Sequence, residues 1–131
     1  MTAGQRSERR RERGRRGRDA GRFAELVAAA LLMIKGWQIL GFRLRTPEGE
    51  IDLLARRGRT LAVVEVKRRA SLEEAYEGVG FAQRERLLRA GRMVAARRPA
   101  LRQLDLRVDL IALAPGRFPR HLPNLLAGRD V

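Results

Sequence analysis

At 131 residues, with 29 Lys and Arg against 15 Asp and Glu, the chain has room for one domain around one core and carries a formal net charge of +14. It has no cysteine and a single histidine, which excludes disulfide staples, thiolate metal sites and histidine-rich metal sites. Most of the cationic excess is arginine, whose planar fork matches phosphate oxygens, so the expected partner is nucleic acid, and any metal must rest on carboxylates, carbonyls and water, the ligand set of Mg²⁺ or Mn²⁺.

Residues 1–18 hold no apolar side chain after Ala3 and read as a disordered basic tail, leaving 19–131 as the folded domain. Arg9, Arg10 and Arg11 ahead of the apolar run from Phe23 to Ile34 have the order of a secretion signal. Glu25 interrupts that run and Lys35 ends it short of a membrane span, so a cytoplasmic protein with no membrane contact is expected. From Asp19, a plausible N-cap, to Lys35 the period is helical. Phe23, Val27, Ala30, Leu31 and Ile34 form one stripe, and Gly36 stands at the stop. A second apolar flank, Ala28, Ala29 and Leu32, lies beside Glu25. That carboxylate is either at a protein interface or a solvated helix-start charge.

Three strand-like runs follow, Trp37 to Arg45, Glu50 to Arg57 and Thr60 to Arg68, with turn residues between them. A helix is expected from about Phe81 to Arg98, burying Leu87, Leu88, Gly91, Val94 and Ala95 and closed by Pro99. One more strand spans Leu104 to Ala114, and the chain after Phe118 reads as irregular, packed by Leu122, Leu125 and Leu126.

The chemistry concentrates in one hairpin. Alternation puts Ile51, Leu53 and Ala55 with Ala62, Val64 and Val66 on an apolar face, and Glu50, Asp52, Glu65 and Lys67 on the other. A two-residue type II′ turn at Gly58 and Arg59 would pair Arg57 with Thr60, which sets Asp52 opposite Glu65 and Glu50 opposite Lys67. Like charges facing one another destabilise a sheet, and a divalent cation would relieve that conflict. Lys67 could then orient the attacking water or stabilise developing negative charge. The alternative is a wet charged face in which Glu50 pairs with Lys67.

Asp52 and Glu65-Val66-Lys67 fit the PD-(D/E)xK pattern. With Gly21-Arg22-Phe23-Ala24-Glu25, Gly36-Trp37-Gln38-Ile39-Leu40, Gly49-Glu50-Ile51-Asp52, Val63-Val64-Glu65-Val66-Lys67-Arg68 and Arg107-Val108-Asp109 in order, residues 20 to 127 resemble the bacterial YraN-like family. That group has an expected restriction-endonuclease-like fold similar to archaeal Holliday-junction resolvases. The resemblance implies an α/β domain with an αβββαβ core and mixed sheet, and a metal site of Glu25, Asp52 and Glu65. Catalytic roles fall to Asp52, Glu65 and Lys67, with Gln83 at a position where many relatives place lysine. It also implies DNA as substrate and a homodimer on two-fold substrates. The leading expectation is a Mg²⁺- or Mn²⁺-dependent nuclease acting on DNA, including branched or damaged structures. The alternatives are a nucleic-acid-binding protein of the same fold without turnover, and a basic assembly protein docking on ribosomal or other RNA.

Overall fold

The computed structural model describes residues 2–126, with the side chains of 12–18 outside that description. A long helix, α1 (Ala3–Ile34), leads into a meander of β1 (Gln38–Thr46), β2 (Gly49–Arg57) and β3 (Thr60–Arg68). Two helices, α2 (Leu72–Glu77) and α3 (Phe81–Arg97), and a 3-10 turn at Pro99–Leu101 carry the chain back to β4 (Asp105–Leu113), followed by the short β5 (Arg120–Leu122). The five strands form one sheet in sequence order. Only β3 and β4 pair in parallel, so the sheet is mixed and the αβββαβ expectation holds. A parallel pair needs a long crossover, and the α2 and α3 segment supplies it.

β3 is the hub. Leu61, Ala62, Val63 and Val64 are fully buried, because α1 covers one face of the sheet and α3 the other. On the α1 side Leu53, Ala55, Ala62, Val64 and Ile111 pack with Ala28, Ala29, Leu32 and Trp37. On the α3 side Ile51, Leu54, Leu61, Val63, Val108 and Leu110 pack with Leu87 and Ala90. The expected division of the hairpin into one apolar and one polar face is therefore corrected: both faces are apolar along most of its length, and only its open end is charged. The reason is the second layer of helix, which a single strand pattern does not announce.

Two further corrections concern α1. It is capped by Thr2, whose side chain accepts from the Gln5 N–H, and it runs unbroken through the segment read as a disordered tail, so Asp19 is not its N-cap. That segment is dominated by arginine, a good helix former, and is free of proline, which offsets its three glycines. Residues 2–11 are all exposed. The buried stripe also differs: Ala24, Glu25, Ala28, Ala29 and Leu32 face the sheet, while Phe23 and Ile34 stand 68% and 84% exposed. The helix is apolar nearly all round here, so period alone does not choose a face. The small alanines let it lie close to the strands, and the bulky residues turn outward.

Leu72–Glu77, where the sequence pattern points to no element, is a helix, and Arg120–Leu122, expected as irregular chain, is a strand. Ser71 caps the first through the Glu74 N–H at 3.1 Å, and the second joins the edge of β4. No helix among the described residues is long and apolar enough to cross a membrane.

The α3 layer sits tightly on the sheet at Gly91. A Cβ there would lie 2.5 Å from Val63 Cγ2 and 3.1 Å from Leu106 Cδ1. Gly91→Ala should therefore cost about 1–3 kcal/mol of stability despite its better helix propensity. Urea unfolding checks this, and an unchanged or raised midpoint would show that α3 shifts freely.

Candidate active site

The β2–β3 hairpin begins as the turn chemistry dictates. Gly58 has φ 60°, Arg57 pairs with Thr60, and the ladder continues to Leu53 with Val64. Beyond that pair Asp52 Oδ2 accepts from the Val66 N–H at 2.9 Å, so a carboxylate takes the place of a main-chain acceptor. On the other side of β2, Arg43 lies between the pairs Phe42–Leu53 and Leu44–Ile51 with φ 51°. This left-handed conformation costs a residue with a Cβ roughly 1–2 kcal/mol. Ile51 packs with the α3-side cluster and Leu53 with the α1-side cluster, so the alternation of faces breaks at Asp52.

The break brings the two acids together. Asp52 and Glu65 lie close enough for each carboxyl to act on the other's ionisation. Lys67 Nζ is 3.7 Å from Glu65 Oε1, which makes Glu65 its partner in place of the expected Glu50. Glu65 is only 8% exposed. Burial, and next the charge of Asp52, push its carboxyl up to about 8. Burial also raises Asp52, against the opposing hydrogen bond from Val66.

This pair predicts a pH profile. Folded Glu65 keeps a proton at pH values where an unfolded glutamate has lost it. The stabilisation is complete below about 4.5 and is lost as pH rises through about 8. The melting temperature of the metal-free protein should fall between about pH 5 and pH 9, and Glu65→Gln should flatten that fall. Thermal melts in EDTA across this range check it. An equal slope in the variant would remove Glu65 as the cause.

Glu25 is buried on α1, where both carboxylate oxygens accept from Arg43 Nε, at 2.7 and 3.1 Å, and Arg43 NH2 lies 2.6 Å from Oε1. Of its two sequence readings, the solvated helix-start charge is thereby corrected: the group is buried and paired. Glu25 and Asp52 line a cleft of about 350 Å³ with Arg43, Glu50, Arg68 and Arg69. Glu65 and Gln83 line a neighbouring cleft of about 230 Å³, on the α3 side, with Glu50 and Arg86. Glu50 lines both clefts.

Among the described residues, no three His, Cys, Asp or Glu side chains stand as one metal-holding group. The donors brought together are Asp52 and Glu65. Two desolvated carboxyls in contact, with Val66 backbone between β3's acid and its lysine, suit a hard divalent cation. Glu25 belongs to the same cleft, but its oxygens are taken by Arg43. Sequence reasoning missed Arg43. Its signal was present, since Phe42-Arg43-Leu44-Arg45 alternates beside the strand that bears Asp52.

A second polar cluster also escaped it. Asp109, fully buried on β4, accepts from Arg107 Nε at 2.9 Å and NH2 at 3.1 Å, from the Asn124 N–H at 2.9 Å, and meets His121 Nε2 at 2.7 Å. Lys35 Nζ stands 2.9 Å from His121 Nδ1. An ammonium only donates, so Nδ1 accepts and Nε2 carries the hydrogen given to Asp109. Arg107 also lies over the Trp37 ring, 5.1 Å from its centroid, which ties this network to the α1-side core.

Residues 24–113, the span holding Glu25, the hairpin, Gln83 and Asp109, match the sequence profile described as "Uncharacterised protein family UPF0102". The chain belongs to UPF0102. A UPF0102 protein of Caulobacter vibrioides (strain NA1000 / CB15N) is 59% identical over 119 residues, covering 91% of this chain and 95% of the relative. One from Caulobacter sp. (strain K31) is 62% identical over 112 residues, covering 86% and 81%. One from Chelativorans sp. (strain BNC1) is 46% identical over 109 residues, covering 83% and 88%. The YraN-like resemblance thus stands as membership of UPF0102, a family whose description carries no activity.

Proposed function

We propose that this UPF0102 chain is a Mg²⁺- or Mn²⁺-dependent cytoplasmic nuclease that hydrolyses DNA phosphodiester bonds, including those of branched or damaged structures. The observation that carries the reading is the buried contact of Asp52 with Glu65, beside Lys67, at the head of a cleft rimmed by Arg43, Arg68 and Arg69. A stability-driven sheet would not place two acids there without a cation to offset them. A divalent cation held by both carboxylates would offset charge on a phosphate oxygen and lower the pKa of a water.

The protein groups supply the rest. Arg68 and Arg69 hold the flanking phosphates, which accounts for affinity without base readout. Lys67, anchored by Glu65, donates to the phosphoryl oxygens as negative charge grows on them during water attack. Gln83 offers an amide that orients water or phosphate from the α3 side. The bond broken is phosphorus to ester oxygen, and the proton lost by the attacking water ends on the departing oxygen or solvent.

The Arg43 fork on Glu25 favours a second reading, a DNA-binding protein of this fold without turnover. A cleavage assay on linear, nicked, flapped and four-way DNA, with Mg²⁺ or Mn²⁺ and an EDTA control, separates the two. Metal-dependent cutting of at least one substrate is expected. Binding to all of them with no cutting of any would leave the second reading.

A further inference from the structure

The outer face of α1 is unused by the fold. Phe23, Leu26 and Met33 are 68%, 61% and 63% exposed, and Ala30 between them is exposed as well. Their spacing of three, four and three residues makes one narrow seam of the kind that packs against another helix. Such a row of large apolar groups on one helix marks an interaction surface.

We infer that this seam seats α1 of a second copy of the chain, packed antiparallel about a two-fold axis near residue 28. The sequence is self-complementary in that arrangement. Residues whose numbers sum to 56 meet, so Phe23 faces Met33 of the other copy and Leu26 faces Ala30. Large meets small at the centre, and sulfur meets an aromatic ring at each end. A two-fold contact requires one surface to complement itself, and this one does.

Charge agrees with shape. Arg22 falls opposite Ile34 of the second copy, near the C-terminal end of that helix, where the helix dipole favours a cation. The open groove between α1 and β1, about 220 Å³ and lined by Arg22, Leu26 and Phe42, widens the seam on one side. That groove shares Glu25 and Arg43 with the cleft of the candidate active site, so the pairing would fix the two clefts of a dimer relative to one another. Neither the carboxylate pair nor DNA enters this inference, and it stands or falls apart from the nuclease reading.

Sedimentation velocity of the full chain over a concentration series tests it. Wild type should be a dimer, Leu26→Glu a folded monomer, and Phe118→Glu, the same change at a 93% exposed phenylalanine outside the seam, a dimer. The absence of native cysteine makes cross-linking clean. A Phe23→Cys, Met33→Cys double variant should form a disulfide-linked dimer under mild oxidation. Either single variant should not, since antiparallel packing sets like positions about 15 Å apart along the axis. A monomeric wild type, including one that binds anionic phospholipid vesicles through this face, would overturn the inference. So would a dimeric Leu26→Glu protein, or linkage of the single variants.

Discussion

Asp52→Asn is expected to lower DNA cleavage by roughly 10³-fold or more while leaving the metal-free protein as stable as wild type or more so. The two effects share one cause. The asparagine oxygen can still accept from the Val66 N–H, and its amide can donate to Glu65, so the local hydrogen bonding is kept and the buried negative charge of the pair disappears. What is lost is half of the donor pair. Lys67→Ala differs in kind. It should retain metal and DNA binding and lose roughly 10²–10³-fold in the cleavage step, as expected for a group that acts on the transition state. Single-turnover rates with saturating enzyme, read beside melting curves, separate these cases. An Asp52→Asn protein that loses stability and activity together would assign Asp52 to the fold alone.

Asp109→Ala should cost about 3–5 kcal/mol of stability. Removing the fully buried carboxylate takes the acceptor from the Arg107 fork, from His121 and from the Asn124 N–H. Burial by itself would raise the Asp109 carboxyl. Hydrogen bonds from His121, from the Asn124 backbone and from Arg107 outweigh burial and hold it below the usual carboxylate range. The stabilisation is therefore present above the unfolded value and lost as pH falls through the lower folded one. Asp109 governs the acid side of the stability profile and Glu65 the alkaline side. Urea unfolding at neutral pH checks the magnitude, and a loss under about 1 kcal/mol would show that the network is not structural.

Much of this architecture is legible in the sequence because it depends on local signals. Two apolar strand runs and the Gly58 turn determine the hairpin, and the register follows by counting as far as Leu53 and Val64. The parallel β3–β4 pairing follows once a helical segment separates two strand patterns. What was not legible depends on tertiary choices. The buried face of α1 was decided by side-chain size, since apolar residues surround that helix. β5 is too short to alternate and sits between Pro119 and Pro123, so only its pairing with β4 defines it.

The site divides in the same way. Asp52, Glu65 and Lys67 were placed together by spacing, and the structure brings them into contact. The means differ from the expected facing pair, because the ladder ends and the Asp52 side chain bonds to Val66. Glu25 and Gln83 were implied by resemblance alone. The structure puts them in the two clefts that flank the pair, with Glu25 engaged by an arginine whose backbone conformation no strand pattern foretells.

The central claim, that Asp52 and Glu65 form one divalent-cation site, is tested most directly by calorimetric Mn²⁺ titration of wild type and Asp52→Asn in parallel at two buffer ionisation enthalpies. Wild type should bind Mn²⁺ with release of protons near neutral pH, since the shared proton of the carboxyl pair must leave, and Asp52→Asn should show no comparable binding. Equal Mn²⁺ affinity in the two proteins, or no binding by wild type, would contradict the account.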